Sequence, residues 1–135
     1  MRWKFNVKKK RAVDPFDAVK AAGLRLPHVE AAVRYDGSPV LKMRGCFMAA
    51  LATHPSAEPD TLVIRMSLEE RQYLLDDAPD TYYVTDYYQK HPVVLVRLSR
   101  VDRAALEDLM SVSWRLTAAK TDRARRQPRT SAAEA

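Results

Sequence analysis

This sequence has little of what most catalytic and metal-binding sites require. It contains one cysteine, three glycines and three histidines in 135 residues. A single cysteine excludes an internal disulfide and is typical of a reducing compartment, so we expect a cytoplasmic location. The glycines form no phosphate-binding loop, and the scattered histidines have no partner at metal-ligand spacing. We therefore expect no bound metal, no cofactor and no enzymatic activity.

Long apolar runs are also missing. No segment approaches the roughly 18 residues that cross a bilayer. The basic start of the chain is not followed by the apolar core of a secretory signal. These two absences predict that the protein has no membrane partner.

Positive charge is concentrated at the two ends of the chain. Residues 1–11 carry six basic and no acidic side chains, and residues 120–135 carry five basic and two acidic ones. We predict a basic arm at 1–13, a single domain at 14–119 and a disordered basic tail at 120–135. Such ends either keep a protein soluble or attract a polyanion, most simply nucleic acid, without sequence preference.

Capping residues predict where three helices begin. Asp14 precedes Pro15 at the first helix, Ser67 precedes the second, and Asp102 precedes the third. Gly23 is the expected end of the first helix, because glycine commonly follows a helix C-terminus. The third helix is expected to end near residue 119, where its apolar stripe stops.

Alternating apolar residues predict about five strands, and Asp36-Gly37 predicts a hairpin turn between the first two. The elements follow the order α-β-β-β-β-α-β-α. Early hairpin connections favour an α+β fold in which an antiparallel sheet packs against helices on one face. The strands are expected at 29–35, 40–44, 46–52, 61–66 and 92–98.

Basic residues recur on one side of these predicted strands. Lys42 and Arg44 alternate with Leu41 and Met43, and strand side chains alternate faces with period two. A sheet with one apolar face and one basic face predicts a binding surface rather than a catalytic pocket. The candidate nucleic-acid-binding residues are Arg34, Lys42, Arg44, Arg65, Lys90 and Arg97.

A cluster of tyrosines lies between Thr81 and His91. Aromatic rings of this kind can stack on nucleic-acid bases without sequence preference. More often, such rings close the edge of a small core while their hydroxyls reach solvent. The sequence leaves both interpretations open.

Five segments carry a resemblance to a known family. They are AAGLRLPHVEAA, DGSPVLKMRGCFMA, LVIRMSLEERQYLL, YYQKHPVVLVRL and LEDLMSVSWRL. In their order and spacing, these loose motifs resemble the MmcQ/YjbR family of small bacterial proteins. The resemblance covers about Asp14 to Lys120. One residue departs from the family pattern: Pro92 stands where many relatives have Trp.

The resemblance implies a secretion-chaperone-like α+β fold and a DNA-binding role. By motif match, Lys42 and Arg44 fall in the family's basic hairpin, and Arg65 takes its basic position before the second helix. Lys90 and His91 match its polar pair before the last strand.

Our preferred hypothesis from the sequence is a non-enzymatic protein that binds double-stranded DNA through a basic sheet face and basic termini. The alternative is a protein-interaction or dimerisation module with a chaperone-like fold. In that case Tyr87, Tyr88 and the strand at 92–98 would matter more than the lysines. A small-molecule enzyme is the weakest reading, because the candidate groups are scattered.

Overall fold

Three α-helices and six β-strands form in the computed structural model, which describes residues 14–126. The helices are α1 (Pro15–Leu24), α2 (Leu68–Asp77) and α3 (Arg103–Arg126). The α+β class is confirmed, and the order of elements agrees with the prediction apart from one additional short strand. The strands are β1 (Val29–Val33), β2 (Pro39–Met43), β3 (Cys46–Leu51), β4 (Thr61–Arg65), β5 (Tyr82–Tyr83) and β6 (Val93–Arg97).

The strands form one antiparallel sheet in the order β1-β2-β3-β4-β6-β5. Helices α1 and α3 pack on one face of this sheet, which we call the helix face. Phe16 of α1, Leu41 of β2, Ile64 of β4 and Met110 of α3 are fully buried there. Burial of apolar side chains at this layer is the main driving force for the fold.

The predicted capping residues begin all three helices. Asp14 Oδ1 accepts a hydrogen bond from the amide of Phe16 at 3.0 Å, and Ser67 Oγ accepts one from the amide of Glu70 at 3.1 Å. Asp102 Oδ1 accepts a hydrogen bond from the third helix at 2.8 Å. Each side chain satisfies an amide that has no partner within its helix.

Two predicted helix ends are wrong. Gly23 lies within α1, and glycine is needed there because the core leaves no room for a side chain. A Cβ at this position would lie 2.5 Å from Leu41 Cδ1 and 2.9 Å from Met110 Cε. Helix α3 does not stop at residue 119 but continues to Arg126, with Thr121 buried. Helical structure at 120–126 thus replaces the start of the predicted tail. The predicted arm at 1–13 and the rest of the tail, 127–135, lie outside the described residues.

The turn between β2 and β3 changes the position of Arg44. Met43 pairs with Cys46, so Arg44 and Gly45 form a two-residue turn, with φ of 53° and 81°. Positive φ at both positions is typical of tight hairpin turns. Arg44 therefore does not continue β2 beside Lys42, and the predicted basic pair on one strand is wrong.

A β-bulge interrupts the alternation of side chains along β3, so that Met48 and Ala49 both pack on the helix face. The register between β2 and β3 shifts after the Leu41–Ala49 pair, so Met48 has no opposing residue. The carbonyl of Met48 accepts a hydrogen bond from the buried Ser113 Oγ of α3 at 3.3 Å. The polar residue inside α3 thus satisfies a backbone group that the bulge removes from the ladder.

The opposite face of the sheet is not the open basic surface that the sequence predicted. Strands β4 and β6 are buried on both faces, and Val63, Val93 and Leu95 of this second face are all buried. The expectation of one apolar and one basic face is therefore wrong for these two strands. Charged side chains are confined to their ends, at Arg65 and Arg97.

Candidate functional site

Two loop segments cover part of the second face. Residues 52–60 connect β3 to β4, and residues 84–92 connect β5 to β6. Together with Val40, Val63 and Leu95 of the sheet, Tyr88 and other side chains of these segments form a second apolar cluster. The uncovered part of this face is a concave site rather than a flat one.

Tyrosine hydroxyls attach the first segment to the sheet. The Tyr83 hydroxyl accepts a hydrogen bond from the amide of Glu58 at 2.8 Å and shares another with Thr61 Oγ1 at 2.7 Å. The Tyr88 hydroxyl accepts from the amide of His54 at 3.3 Å. The rings of Tyr83 and Tyr88 thus pack at the edge of the core. Their hydroxyls do not simply reach solvent, because each accepts a hydrogen bond from a loop amide and that of Tyr83 also bonds to the Thr61 side chain.

The two segments also contact each other and α2. His54 stacks on Tyr87, with ring centroids 3.6 Å apart and planes inclined by 10°. The guanidinium of Arg71 in α2 donates to the carbonyls of Gln89 and His91 at 3.2 and 3.0 Å. Ring stacking and charge-assisted hydrogen bonds therefore hold the second segment in place.

A pocket of about 550 Å³ lies between the two segments and the sheet. Its floor includes Phe47 of β3 and Arg65 of β4, and its walls include His54, Tyr87 and Arg34. No acidic side chain is present among the described residues that line it. The volume lies within the range of about 300–1,000 Å³ that is usual for small-ligand sites.

Arg65 presents its guanidinium at the floor of the pocket. Its Nε donates to the carbonyl of Phe47 at 3.0 Å, which holds the side chain across β3. Within residues 14–126 its two terminal nitrogens donate no hydrogen bond to protein. Burial lowers the pKa of the Arg65 guanidinium below its ordinary value, because desolvation disfavours the charged form. An arginine nevertheless stays protonated at neutral pH.

Arg34 follows β1 and supplies a second guanidinium to the pocket. Its Nη2 donates to the carbonyl of Leu51 at the end of β3. Its Nε is buried and has no hydrogen-bond partner among the described residues. Its Nη1 is not buried and donates no hydrogen bond among the described residues, so this nitrogen is free to bind a ligand in the pocket.

Two lysines stand next to residues that line this pocket, and we call them its rim. Lys42 is exposed on β2 and pairs across the sheet with Phe47, which lines the pocket. Lys90 is exposed, and its Nζ lies 5.9 Å from the centre of the ring of Tyr87, another lining residue. Two of the six predicted binding residues, Arg34 and Arg65, therefore line the pocket, and two more, Lys42 and Lys90, are neighbours of its lining.

The structure does not bring Arg97 and Arg44 to this site. Arg97 pairs with Thr61, and Arg65 with Val93, so the two arginines lie at opposite ends of the β4–β6 ladder. Arg97 Nε and Nη2 each donate to the Glu58 carboxylate at 2.9 Å. The same bonds raise the pKa of Arg97 and lower the pKa of Glu58. Arg97 thus has a structural partner.

Arg44 also lies away from the pocket. Its Nη1 is 3.8 Å from Asp122 Oδ1 of α3, in a largely exposed ion pair. An ion pair of this kind contributes little to stability. The predicted surface of six basic residues is therefore divided between a pocket, a hairpin turn and a structural ion pair.

The described residues show neither a metal site nor a membrane-spanning helix. Within residues 14–126, no group of three or more His, Cys, Asp or Glu side chains is arranged to hold a metal ion. None of the helices in this part of the chain has both the length and the apolar character needed to cross a bilayer.

Sequence reasoning did not identify His54, Tyr87 and Phe47 as neighbours of the basic residues. Their signals were present but weak: a proline-containing loop, a run of tyrosines and an aromatic residue at the start of an apolar strand. His54 and Tyr87 come next to Phe47 of the sheet because residues 52–60 and 84–92 fold over it.

Comparison with known proteins gives relatives without an assigned role. An uncharacterised protein of Mycobacterium bovis and two of Mycobacterium tuberculosis are each 33% identical to this chain over 72 residues. The match covers 50% of this chain, and the chain spans 56% of the length of each relative. No protein-family model matches the chain, and no solved structure matches it.

Proposed function

We propose that this protein is a non-enzymatic DNA-binding protein whose main contact surface is the cationic pocket and its rim. One observation carries the proposal: the guanidinium groups of Arg34 and Arg65 line a pocket in which the described residues place no carboxylate. The basic termini of the sequence would add attraction that does not depend on base sequence.

The electrostatics of the pocket favour an anionic ligand. Burying a guanidinium without a carboxylate is costly, because the charge loses water and gains no counterion. Within the described residues, Arg65 keeps two nitrogens without a protein acceptor, and Arg34 keeps an Nη1 that is not buried. Arginine frequently binds phosphate oxygens through two parallel hydrogen bonds. Lys42 and Lys90 at the rim would contact neighbouring phosphates.

Membership of the MmcQ/YjbR family and a cytoplasmic location are part of the same proposal. The motifs around Lys42, Arg65 and Lys90 support the first, and the single cysteine supports the second. Contacts between basic side chains and phosphates involve the DNA backbone and not the bases, so we propose binding with little base specificity.

Fluorescence anisotropy with a labelled DNA across a salt series tests the proposal. The test variant of the full chain reverses two rim charges, Lys42→Glu with Lys90→Glu. The control reverses two exposed charges on α3, Arg115→Glu with Lys120→Glu, and so has the same net charge. Each lost phosphate contact should lower the slope of log K against log salt by about 0.9.

We expect the rim variant to bind DNA more weakly, with a slope smaller by about 2. The α3 variant should keep most of the slope, since only long-range attraction changes. Equal weakening by both variants would mean that net charge alone drives binding. In that case the pocket would not be the DNA site.

One observation favours a second candidate, self-association. Strand β1 is at the outer edge of the sheet, and Val33 at its end and Tyr35 just beyond it are 70% and 103% exposed. A second copy of the chain could pair with this edge. The strand at 92–98, which the sequence suggested for this role, lies between β4 and β5 as β6. Sedimentation of the full chain and of Val33→Lys would show a dimer that the substitution disrupts.

A further inference from the structure

We propose that the pocket receives one unstacked nucleotide, with its phosphate at Arg34 and Arg65 and its base against the stacked rings of His54 and Tyr87. This inference rests on the proposed function and specifies its ligand: a nucleoside 5′-phosphate, either within single-stranded DNA or free. It predicts that the protein prefers single-stranded to double-stranded DNA.

The shape of the site favours an unstacked unit. The two guanidiniums lie in a concave pocket of about 550 Å³, a volume typical of small-ligand sites rather than of a groove that follows a duplex. In a duplex the bases are stacked and paired, so none can enter such a pocket without being flipped out, at a cost of a few kcal/mol. A single strand presents its bases without that cost.

The aromatic wall is suited to a base. His54 and Tyr87 are separated by 3.6 Å, close to the spacing of about 3.4 Å between stacked bases. Both rings line the pocket, and Tyr87 is 43% exposed. A base that continued this stack would lie beside the cationic floor, because Arg65 lines the same pocket. Each base stacked on a protein ring contributes about 1–3 kcal/mol.

The polar groups of the pocket fit a phosphate. Arg65 has two terminal nitrogens free of protein acceptors within the described residues, and the Nη1 of Arg34 is likewise free of them and not buried. The His91 side chain, which also lines the pocket, adds a further polar group. Absence of carboxylates from the lining removes the usual competitor for these donors.

Binding of the full chain to five probes at one salt concentration tests the inference. The probes are a short single-stranded oligonucleotide, its duplex, adenosine 5′-monophosphate, adenosine and inorganic phosphate. The variants are Tyr87→Leu, which removes the ring, Tyr87→Phe, which keeps it, and Arg34→Gln. Tyr73→Leu, at an exposed position on α2, is the matched control. Thermal unfolding of each variant checks the fold.

We expect the single strand to bind more tightly than the duplex. Tyr87→Leu should weaken single-strand binding by about fivefold to a hundredfold and weaken duplex binding much less. Tyr87→Phe keeps the ring and should bind the single strand much more tightly than Tyr87→Leu. Tyr73→Leu should behave as the unmodified chain. Arg34→Gln should weaken binding of the single strand and the monophosphate, while adenosine and inorganic phosphate alone should bind more weakly than the monophosphate.

The outcomes separate this inference from the proposed function. Equal binding of single strand and duplex, both insensitive to Tyr87→Leu, would overturn the nucleotide pocket but leave DNA binding intact. Binding of the monophosphate with no binding of either DNA would overturn the proposed function and identify a free nucleotide as the ligand. No binding of the single strand or the monophosphate would overturn the inference altogether.

Discussion

Replacing Tyr83 with Phe removes a hydroxyl that attaches residues 52–60 to the sheet. That hydroxyl bonds to the amide of Glu58 and to Thr61 Oγ1. The Glu58 amide is at an exposed position, so water can replace its lost partner at little cost. Thr61 is only 1% exposed, and its hydroxyl would lose its partner inside the protein. A buried polar group left without a partner costs about 1–3 kcal/mol. We therefore expect a loss of about 2 kcal/mol in the free energy of unfolding.

Urea denaturation measures this loss directly. With an m-value of about 1–3 kcal/mol per molar urea, the midpoint should fall by roughly 1 M while the slope stays the same. Tyr35→Phe is the matched control, because the Tyr35 side chain is fully exposed and its hydroxyl should contribute nothing. In a Thr61→Val background, Tyr83→Phe should have a much smaller effect, because the buried hydroxyl is then already absent.

The same substitution should weaken DNA binding, since the segment it releases carries His54 of the pocket wall. A Tyr83→Phe protein that unfolds at the same urea concentration as the unmodified chain would refute this reasoning. It would mean that the hydroxyl contacts do not hold the loop in solution.

Two further predictions concern α1 and the ion pair of β6. Gly23→Ala should lower the free energy of unfolding, measured by chemical denaturation, by about 1 kcal/mol. Overpacking against Leu41 and Met110 costs about 1–3 kcal/mol, and the higher helix propensity of alanine offsets up to about 1 kcal/mol of this cost. The hydrogen bonds from Arg97 hold the pKa of Glu58 below its ordinary value of 4.5, so their contribution is present above that pH and is lost as the pH falls through the lowered pKa. In thermal unfolding across pH, the unfolding temperature of Glu58→Gln should therefore fall less at acidic pH than that of the unmodified chain. An identical fall in both proteins would contradict this role of Glu58.

Local sequence signals predicted the parts of the fold that depend on local physics. The cap at Asp14 could be anticipated because capping uses residues that are close in sequence. The Asp36-Gly37 turn was predicted for the same reason, and Gly37 has the positive φ of 87° that such a turn needs. Gly23 was misread because the reason for glycine there is contact with distant residues of β2 and α3.

The candidate site could be predicted only in part, because its geometry depends on long-range contacts. Alternation correctly marked Arg65 and Arg97 as residues of the same sheet face, but it could not show that Glu58, 39 residues away, binds Arg97. The burial of Val63 on that face had a visible signal, since β4 is apolar at its three central positions. The covering segments have no regular period, so periodicity could not place them over the sheet.

An NMR titration of the full chain with a short DNA tests the central claim most directly, because amide shifts report where the DNA lies. We expect the largest shift changes in the residues around the pocket, at 52–55, 63–65 and 87–93. They should include the Nε–H signals of Arg34 and Arg65. Shift changes confined to α3, or to the basic termini at 1–13 and 127–135, would contradict the claim that the pocket is the DNA-binding site.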